Sequence, residues 1–364
     1  MEKYTKNKLS IIIPTYNEAE NIVKLLKEII ASLDNKNFEI IVVDDNSDDL
    51  TASKISKNFK DEKKIKLIQR KQKRDLVQSI KLALQKITGS TFLVMDGDGQ
   101  HDPKDIPSTI KLLKDNDLVV GTRNLKDIKS ISKTRIQLSN FFNLLANIIL
   151  KQKISDPLTG FFAGKIHLLN KKFFSINNSG FKVLLDLIFA NKNKLIKISE
   201  NRINFRKRKK GESKLDVSVF FSFITQIISY FFNGLVSSKF IGFIIIGGFG
   251  FLLHFVMIFY FLKITKIDFI WCHLIATLIT STFNFSVNNF LNFYERKLNS
   301  IKNFSIGLLK YYLINIPGIL SSLTGASFAY NMLTNNPYLA SFMGIILDGI
   351  FKFLISINWI WKLK

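Results

Sequence analysis

Three short polar clusters interrupt apolar runs early in the chain: Pro14-Thr15-Tyr16-Asn17-Glu18, Asp44-Asp45-Asn46-Ser47-Asp48-Asp49 and Asp96-Gly97-Asp98-Gly99-Gln100-His101-Asp102. Carboxylates two residues apart, such as Asp96 and Asp98, can place their oxygens around one divalent ion. A hard Mg²⁺ or Mn²⁺ ion takes oxygen ligands and completes its shell with a substrate diphosphate. The other reading of an isolated Asp-x-Asp is a turn. Acidic residues suit a cation and ribose hydroxyls better than bare phosphate, and no glycine-rich phosphate loop accompanies them. Neither G-x-G-x-x-G nor a Walker pattern occurs before residue 239. The single cysteine, Cys272, lies in an apolar run, which excludes a disulfide framework and a cysteine metal site.

The elements that must hold these clusters alternate. Leu9–Ile13 and Phe38–Val43 are continuous apolar runs and read as buried strands, with further strands at 65–69 and 91–95. Between them, residues 18–32 carry Ile22, Leu25, Leu26, Ile29 and Ile30 at helical spacing, and helices are predicted near 49–59 and 75–86. Strand–helix alternation predicts an α/β domain with a largely parallel sheet covered on both faces. All three polar clusters fall at the carboxyl ends of predicted strands, where such sheets bind ligands.

After Lys239 the composition changes to long apolar runs rich in Phe and Ile. Segments near 240–262, 269–291, 306–331 and 339–361 each reach the ~20 residues that cross a bilayer. Asn284, Asn288 and Asn289 in the second, and Asp348 and Lys352 in the fourth, read as helix-to-helix contacts. Gly247, Gly248 and Gly250 read as close helix packing. Arg296, Lys297 and Lys302 lie between the second and third segments, against no basic residue in 332–338. Lys263 and Lys266 pull mildly the other way, but the balance predicts cytoplasmic N- and C-termini. The start, MEKYTKNKLS, has no apolar h-region, so a cytoplasmic first domain is expected.

Residues 215–237 read as an amphipathic interfacial helix or as a fifth span; Asp216 and Gln226 favour the first. The preceding Lys192–Lys214 holds ten Lys or Arg against two Glu. Net charge over all 364 residues is +24, from 52 Lys and Arg against 28 Asp and Glu. Nucleic acid, an anionic membrane surface or a phosphorylated substrate would each suit that charge; beside apolar spans, the last two take precedence.

The decapeptide Val94–Pro103, taken with Pro14–Glu18 and Val43-Asp44-Asp45-Asn46-Ser47, resembles the family 2 glycosyltransferases. It is most similar to the dolichol- and polyprenyl-phosphate mannosyl- or glucosyltransferases of GT-A (Rossmann-like) fold. Further similarities are Gly121-Thr122-Arg123, Asp156-Pro157 with Thr159-Gly160-Phe161, Gly180-Phe181-Lys182, and Arg208 before Gly211-Glu212-Ser213-Lys214. The apolar segments resemble the GtrA-like four-helix family, as in Gly247–Leu252 and Asn289–Asn292. The domain organisation implied is a GT-A domain over 1–213, juxtamembrane interfacial helices over 214–237 and a four-helix transmembrane domain over 238–364.

The resemblance also implies roles. Pro14, Tyr16, Glu18, Val43 and Asp45 would hold the base and ribose, with Gly97 close to the nucleotide. Asp96, Asp98 and Gln100 would surround Mg²⁺ or Mn²⁺. Arg123, Arg208 and Lys214 would meet phosphate charge and, with Asp98, carry catalysis. Arg135 and Ser139 would receive the acceptor phosphate. His101 reads as a packing or turn residue, and Asp186 as a substrate-orienting or a surface helix carboxylate.

The implied reaction is inverting hexose transfer from a nucleotide sugar, GDP-mannose first and UDP-glucose second, to a polyprenyl or dolichyl phosphate in membrane lipid, with no nucleic-acid partner. A lipid-linked-sugar translocase is the non-enzymatic alternative. A processive synthase is disfavoured by the absence of a QxxRW-like motif. One departure stands out: Arg74-Asp75-Leu76-Val77 occupies a place where the family has an Arg-Gly-Leu-like turn. A glycine there implies a special backbone, so either donor binding differs or the loop is re-formed.

Overall fold

The computed structural model describes residues 4–33, 36–72, 74–123, 144, 147, 154–176, 183–206, 217–265, 267–334 and 336–346. Arg135, Ser139, Arg208, Lys214, Asp348 and Lys352 lie outside them. The chain divides into two compact units, Met1–Lys214 with Tyr230–Leu235, and Leu215–Ser229 with Val236–Lys364. The expected juxtamembrane section 214–237 is thus shared between the two units.

In the first unit, β1 (Thr5–Thr15), β2 (Phe38–Asp44), β3 (Ile65–Gln69), β4 (Gly89–Val94), β5 (Leu118–Thr122), β6 (Phe162–Lys165) and β7 (Ile198–Arg202) form one sheet of order β3-β2-β1-β4-β6-β5-β7. All neighbours are parallel except β6, which runs antiparallel to both β4 and β5. The periodic segments become α1 (Ile22–Ser32), α2 (Thr51–Asn58), α3 (Leu76–Leu84) and α4 (Ile106–Leu112), followed by α5 (Lys171–Ser175) and α6 (Val183–Ala190). Strands β1 and β2 are buried on both faces, which is why they read as unbroken apolar runs. Ile11, Ile13, Ile40 and Val42 pack with Leu25, Leu26 and Ile29 of α1, Ile55 of α2 and Ile106 of α4. Side chains alternate along a strand, so α3, packed on β1 and β2, covers the other face.

The second unit is helical: α7 (Val217–Phe231, shared at its end with the first unit), α8 (Ser238–Tyr260), α9 (Phe269–Val287), α10 (Ile301–Phe328) and α11 (Pro337–Ile346). With their terminal turns, Ser238–Thr265, Phe269–Asn292 and Ile301–Leu333 are long and apolar enough to cross a membrane. These are three of the four expected spans; the fourth, 339–361, runs beyond the described residues. Helix α7 has 15 residues, about 22 Å, which is short of the ~30 Å hydrocarbon core. The expected polar contacts are internal: Asn288, Asn289 and Asn292 are buried, and the Asn292 side-chain amide donates to the Lys239 carbonyl at 2.9 Å. The glycine expectation needs correction. Gly250 lies against Asn284, where a β-carbon would meet the amide oxygen at 2.2 Å, but nothing approaches Gly247 or Gly248. The last two therefore do not serve close packing within the described residues.

Candidate active site

Parallel pairing brings the ends of β1, β2 and β4 side by side, with Pro14 opposite Val43, Thr15 opposite Asp44, and Ile12 opposite Val94. The loops that follow are laced together. Asn17 (φ +56°) and Asn46 (φ +60°) take the left-handed conformation that asparagine tolerates in tight turns. The Asn17 amide donates to Ser47 Oγ at 2.9 Å, and the Asp48 amide donates to Asn17 Oδ1 at 3.0 Å. The Glu18 amide donates to Thr51 Oγ1 at 2.9 Å. Tyr16 is half-buried, with the Arg74 guanidinium 4.0 Å from its ring centroid.

Asp45 is buried, paired with the Arg70 guanidinium, and its second oxygen accepts from the Asp75 amide at 2.7 Å. Burial pushes the Asp45 carboxyl up, against the opposing pull of Arg70. Asp45 therefore fixes the turn at the start of α3. Asp75 is the N-cap of that helix at φ −162°, and its side chain accepts from the Gln78 amide at 3.1 Å. An extended N-cap needs no glycine, so the departure at Asp75 is a re-formed loop end with a good capping residue.

The turn after β4 carries Asp96, Asp98 and Gln100, all half-buried. It presses on β1: a β-carbon at Gly97 would lie 2.8 Å from Thr15 Cγ2 and 3.0 Å from the Pro14 carbonyl. The Gln100 amide donates to Asp98 Oδ1 at 3.1 Å. His101 is buried between Phe161 and Phe205 and accepts from the Asp96 amide through Nδ1 at 3.3 Å. Burial pushes its pKa down to about 4 in spite of Asp98, so it packs as a neutral ring.

Arg123, just past β5, donates to Asp156 through Nε at 2.6 Å and Nη2 at 3.0 Å. Burial acts against its charge, but Asp156, with Asp96 behind it, more than compensates and raises its pKa. This bidentate pair stands beside the Asp96 turn. A β-carbon at Gly160 would lie 2.3 Å from Asp96 Oδ2, so the chain entering β6 passes directly over that carboxylate. Arg206 locks the turn from below, donating to Glu28 Oε2 at 2.6 Å and Asp102 Oδ1 at 2.7 Å.

Pro14, Tyr16, Glu18, Val43, Asp45, Asp96, Gly97, Asp98, Gln100 and Arg123 thus gather at one end of the sheet. Asp156, Gly160, Arg70, Arg74 and Arg206 join them without having been assigned a role. Asp156 and Gly160 lie in a quoted motif, but Asp156 is 33 residues from Arg123, and only folding reveals the pairing. Asp186 is not on the surface: it is fully buried in α6 and accepts from the Tyr230 hydroxyl at 2.7 Å. A divalent ion fits the donor set. Asp96 and Asp98 offer only oxygens, and His101 Nδ1 is occupied. Among the described residues no three acidic or histidine side chains converge on a metal position. Two carboxylates with the remaining ligands supplied by a diphosphate suit Mg²⁺ or Mn²⁺.

Residues 10–174 match the model for Glycosyl transferase family 2, and residues 242–361 match GtrA/DPMS, transmembrane domain. The chain is 33% identical over 225 residues to a dolichol-phosphate mannosyltransferase of Pyrococcus furiosus, a match covering 60% of this chain and 62% of that protein. It is 29% identical over 228 residues to the Saccharomyces cerevisiae dolichol-phosphate mannosyltransferase, covering 60% of this chain and 85% of that one. Among solved structures, glucosyl-3-phosphoglycerate synthase from Mycobacterium tuberculosis, in complex with Mn²⁺, UDP and phosphoglyceric acid, superposes with a TM-score of 0.48 and 17% identity, covering 61% of this chain and 78% of that one. The chain is therefore similar to the family 2 glycosyltransferases over residues 10–174 and to the GtrA/DPMS transmembrane domains over residues 242–361.

Proposed function

We propose that the protein transfers a hexose, with inversion, from a nucleotide diphosphate sugar to a polyprenyl monophosphate in the membrane. GDP-mannose is the first candidate donor, in keeping with the names of its curated relatives, and dolichyl phosphate is one acceptor of the right class. The observation that carries this reading is the Asp96–Asp98 turn beside the Arg123–Asp156 pair, on a chain whose described residues also include three helices long and apolar enough to cross a membrane.

A phosphate acceptor is already an anion at neutral pH, so no strong general base is needed to make the nucleophile. One acceptor oxygen attacks the anomeric carbon in line as its bond to the donor phosphate breaks, and the nucleoside diphosphate leaves. Mg²⁺ or Mn²⁺ held by Asp96, Asp98 and Gln100 would neutralise that departing charge. Pro14, Tyr16, Glu18, Val43 and Gly97 would hold the nucleoside, and Asp45, buried against Arg70 and the Asp75 amide, would fix the turn beside it. For Val43, whose side chain is buried, the backbone is the part available. Arg123, Arg208 and Lys214 would offset the repulsion between two phosphates, and fixed charges do this best where water is scarce. Arg135 and Ser139 would receive the acceptor phosphate. The orientation proposed is multi-pass with the catalytic unit in the cytoplasm, where nucleotide sugars are available.

The test is transfer by detergent-solubilised protein from radiolabelled GDP-mannose or UDP-glucose to polyprenyl phosphate, with and without Mn²⁺. Metal-dependent label in the lipid phase, β-linked from an α-linked donor, is the expected result. A retained configuration would overturn the mechanism. Failure of both donors in protein that binds nucleotide would turn attention to another donor.

A further inference from the structure

From the last two residues of α7 the chain returns to the catalytic unit for six residues, Tyr230–Leu235, before α8 begins. One side of this turn is fixed from beneath. Tyr230 is buried, its hydroxyl donates to Asp186 at 2.7 Å, and its ring stacks on Phe189 at 4.3 Å. Asp186 lies 3.7 Å from the buried Lys81 ammonium, which donates to the Ile176 carbonyl at 2.6 Å. Gly234, at φ +74°, packs its α-carbon side on Ile176. The turn is therefore seated on the core of the catalytic unit.

Its other side is apolar and bare: Phe231 is 73% exposed, Phe232 53% and Leu235 88%. Beside it, Lys192 reaches Asn233 Oδ1 at 3.5 Å, and both Lys172 and Lys192 carry their ammoniums over the Phe189 ring. Three residues beyond Lys192, Leu195 is fully exposed at a loop tip flanked by the exposed Lys194 and Lys197. Bare aromatic and aliphatic side chains ringed by lysines are the composition that settles into an anionic headgroup layer. A second copy of the same basic patch would be repelled. The first spanning helix begins at Ser238, and the three residues from Leu235 reach at most ~10 Å.

We propose that this face of the catalytic unit, the 230–235 turn together with the Leu195 loop, docks into an anionic lipid surface. The turn alone would follow from its neighbouring span. The Leu195 loop is the new element, since it lies 43 residues earlier in the chain than Ser238 and touches lipid only if the whole face does.

The test is spin-label depth measurement on the full chain in a Cys272→Ala background. Nitroxides are placed at Leu195→Cys, Phe232→Cys and, as a control on the exposed side of α2, Ser56→Cys. The protein is reconstituted in equal parts phosphatidylcholine and phosphatidylglycerol. At Leu195 and Phe232, access to oxygen is expected to exceed access to a water-soluble nickel chelate, with the reverse at Ser56. A Leu195 label as open to nickel as the Ser56 label would overturn the docking. In phosphatidylcholine alone the Leu195 label is expected to sit shallower; an unchanged depth would overturn the anionic part of the assignment. Neither readout depends on sugar transfer, so either can fail while the proposed activity stands.

Discussion

At the scale of single residues, the site is a set of carboxylates whose placement is enforced by their neighbours. Asp98 faces the reaction in our reading, while Asp96 is held between the His101 ring and the Gly160 backbone. Asp98→Asn keeps the side chain's shape but removes a charged oxygen donor, and kcat/KM is expected to fall ~10²–10³-fold, the loss typical of one deleted transition-state stabiliser. Gly160→Ala adds only a methyl group, yet its place lies 2.3 Å from Asp96 Oδ2. Displacing the carboxylate by about an ångström should cost roughly 10²-fold in rate, together with weaker Mn²⁺ dependence in a metal titration. Full activity in Gly160→Ala would show that Asp96 is not needed where the fold holds it.

At the scale of elements, buried charge ties the strands together away from the site. Glu39 on β2 accepts from Ser10 of β1 at 2.7 Å, from Lys66 of β3 at 2.8 Å and from Thr88 just before β4. Burial alone would push its carboxyl up, but Lys66, Ser10 and Thr88 outweigh it and bring the pKa down to about 2. A carboxyl depressed on folding stabilises the protein above its unfolded value and loses that contribution as pH falls toward its folded value. Relative to an ordinary glutamate carboxyl at ~4.3, the shift is worth about 3 kcal/mol. Glu39→Gln should therefore lower the apparent Tm of the catalytic unit by roughly 6–12 °C at neutral pH. Thermal melts of the full chain in detergent should show that gap constant down to about pH 5 and narrowing below it. A gap that widened in acid would contradict the network.

At the scale of the whole molecule, two units share one chain, and the segment between their helices is divided between them. All of the described residues proposed to hold the donor belong to the first unit. A chain ending at Leu235 keeps Tyr230 on Asp186 and is expected to bind GDP or UDP within ~3-fold of the full protein by calorimetry. Transfer to polyprenyl phosphate in a bilayer should fall roughly 10²-fold, because tethering to the membrane supplies an effective acceptor concentration that solution encounter does not. Equal transfer by the truncated and full chains would leave the spans without a part in substrate delivery.

The sequence by itself determined the alternation of strands and helices, the apolar spans and the three polar clusters at strand ends. These features are local: a doubly buried strand must be apolar throughout, a helix must bury one stripe, and a span needs some twenty apolar residues. It also carried the recognition motifs from Pro14 to Arg123. Only the tertiary structure decided which charges meet. Arg123 pairs with Asp156, Asp45 turns inward to Arg70, and Asp186 is a buried partner of Tyr230 rather than a surface carboxylate. The same holds for β6, whose antiparallel insertion between β4 and β5 carries Gly160 over Asp96. An acidic residue has the same local signature whether it faces solvent, an ion or a guanidinium. Its role is set by which distant segment the fold lays against it.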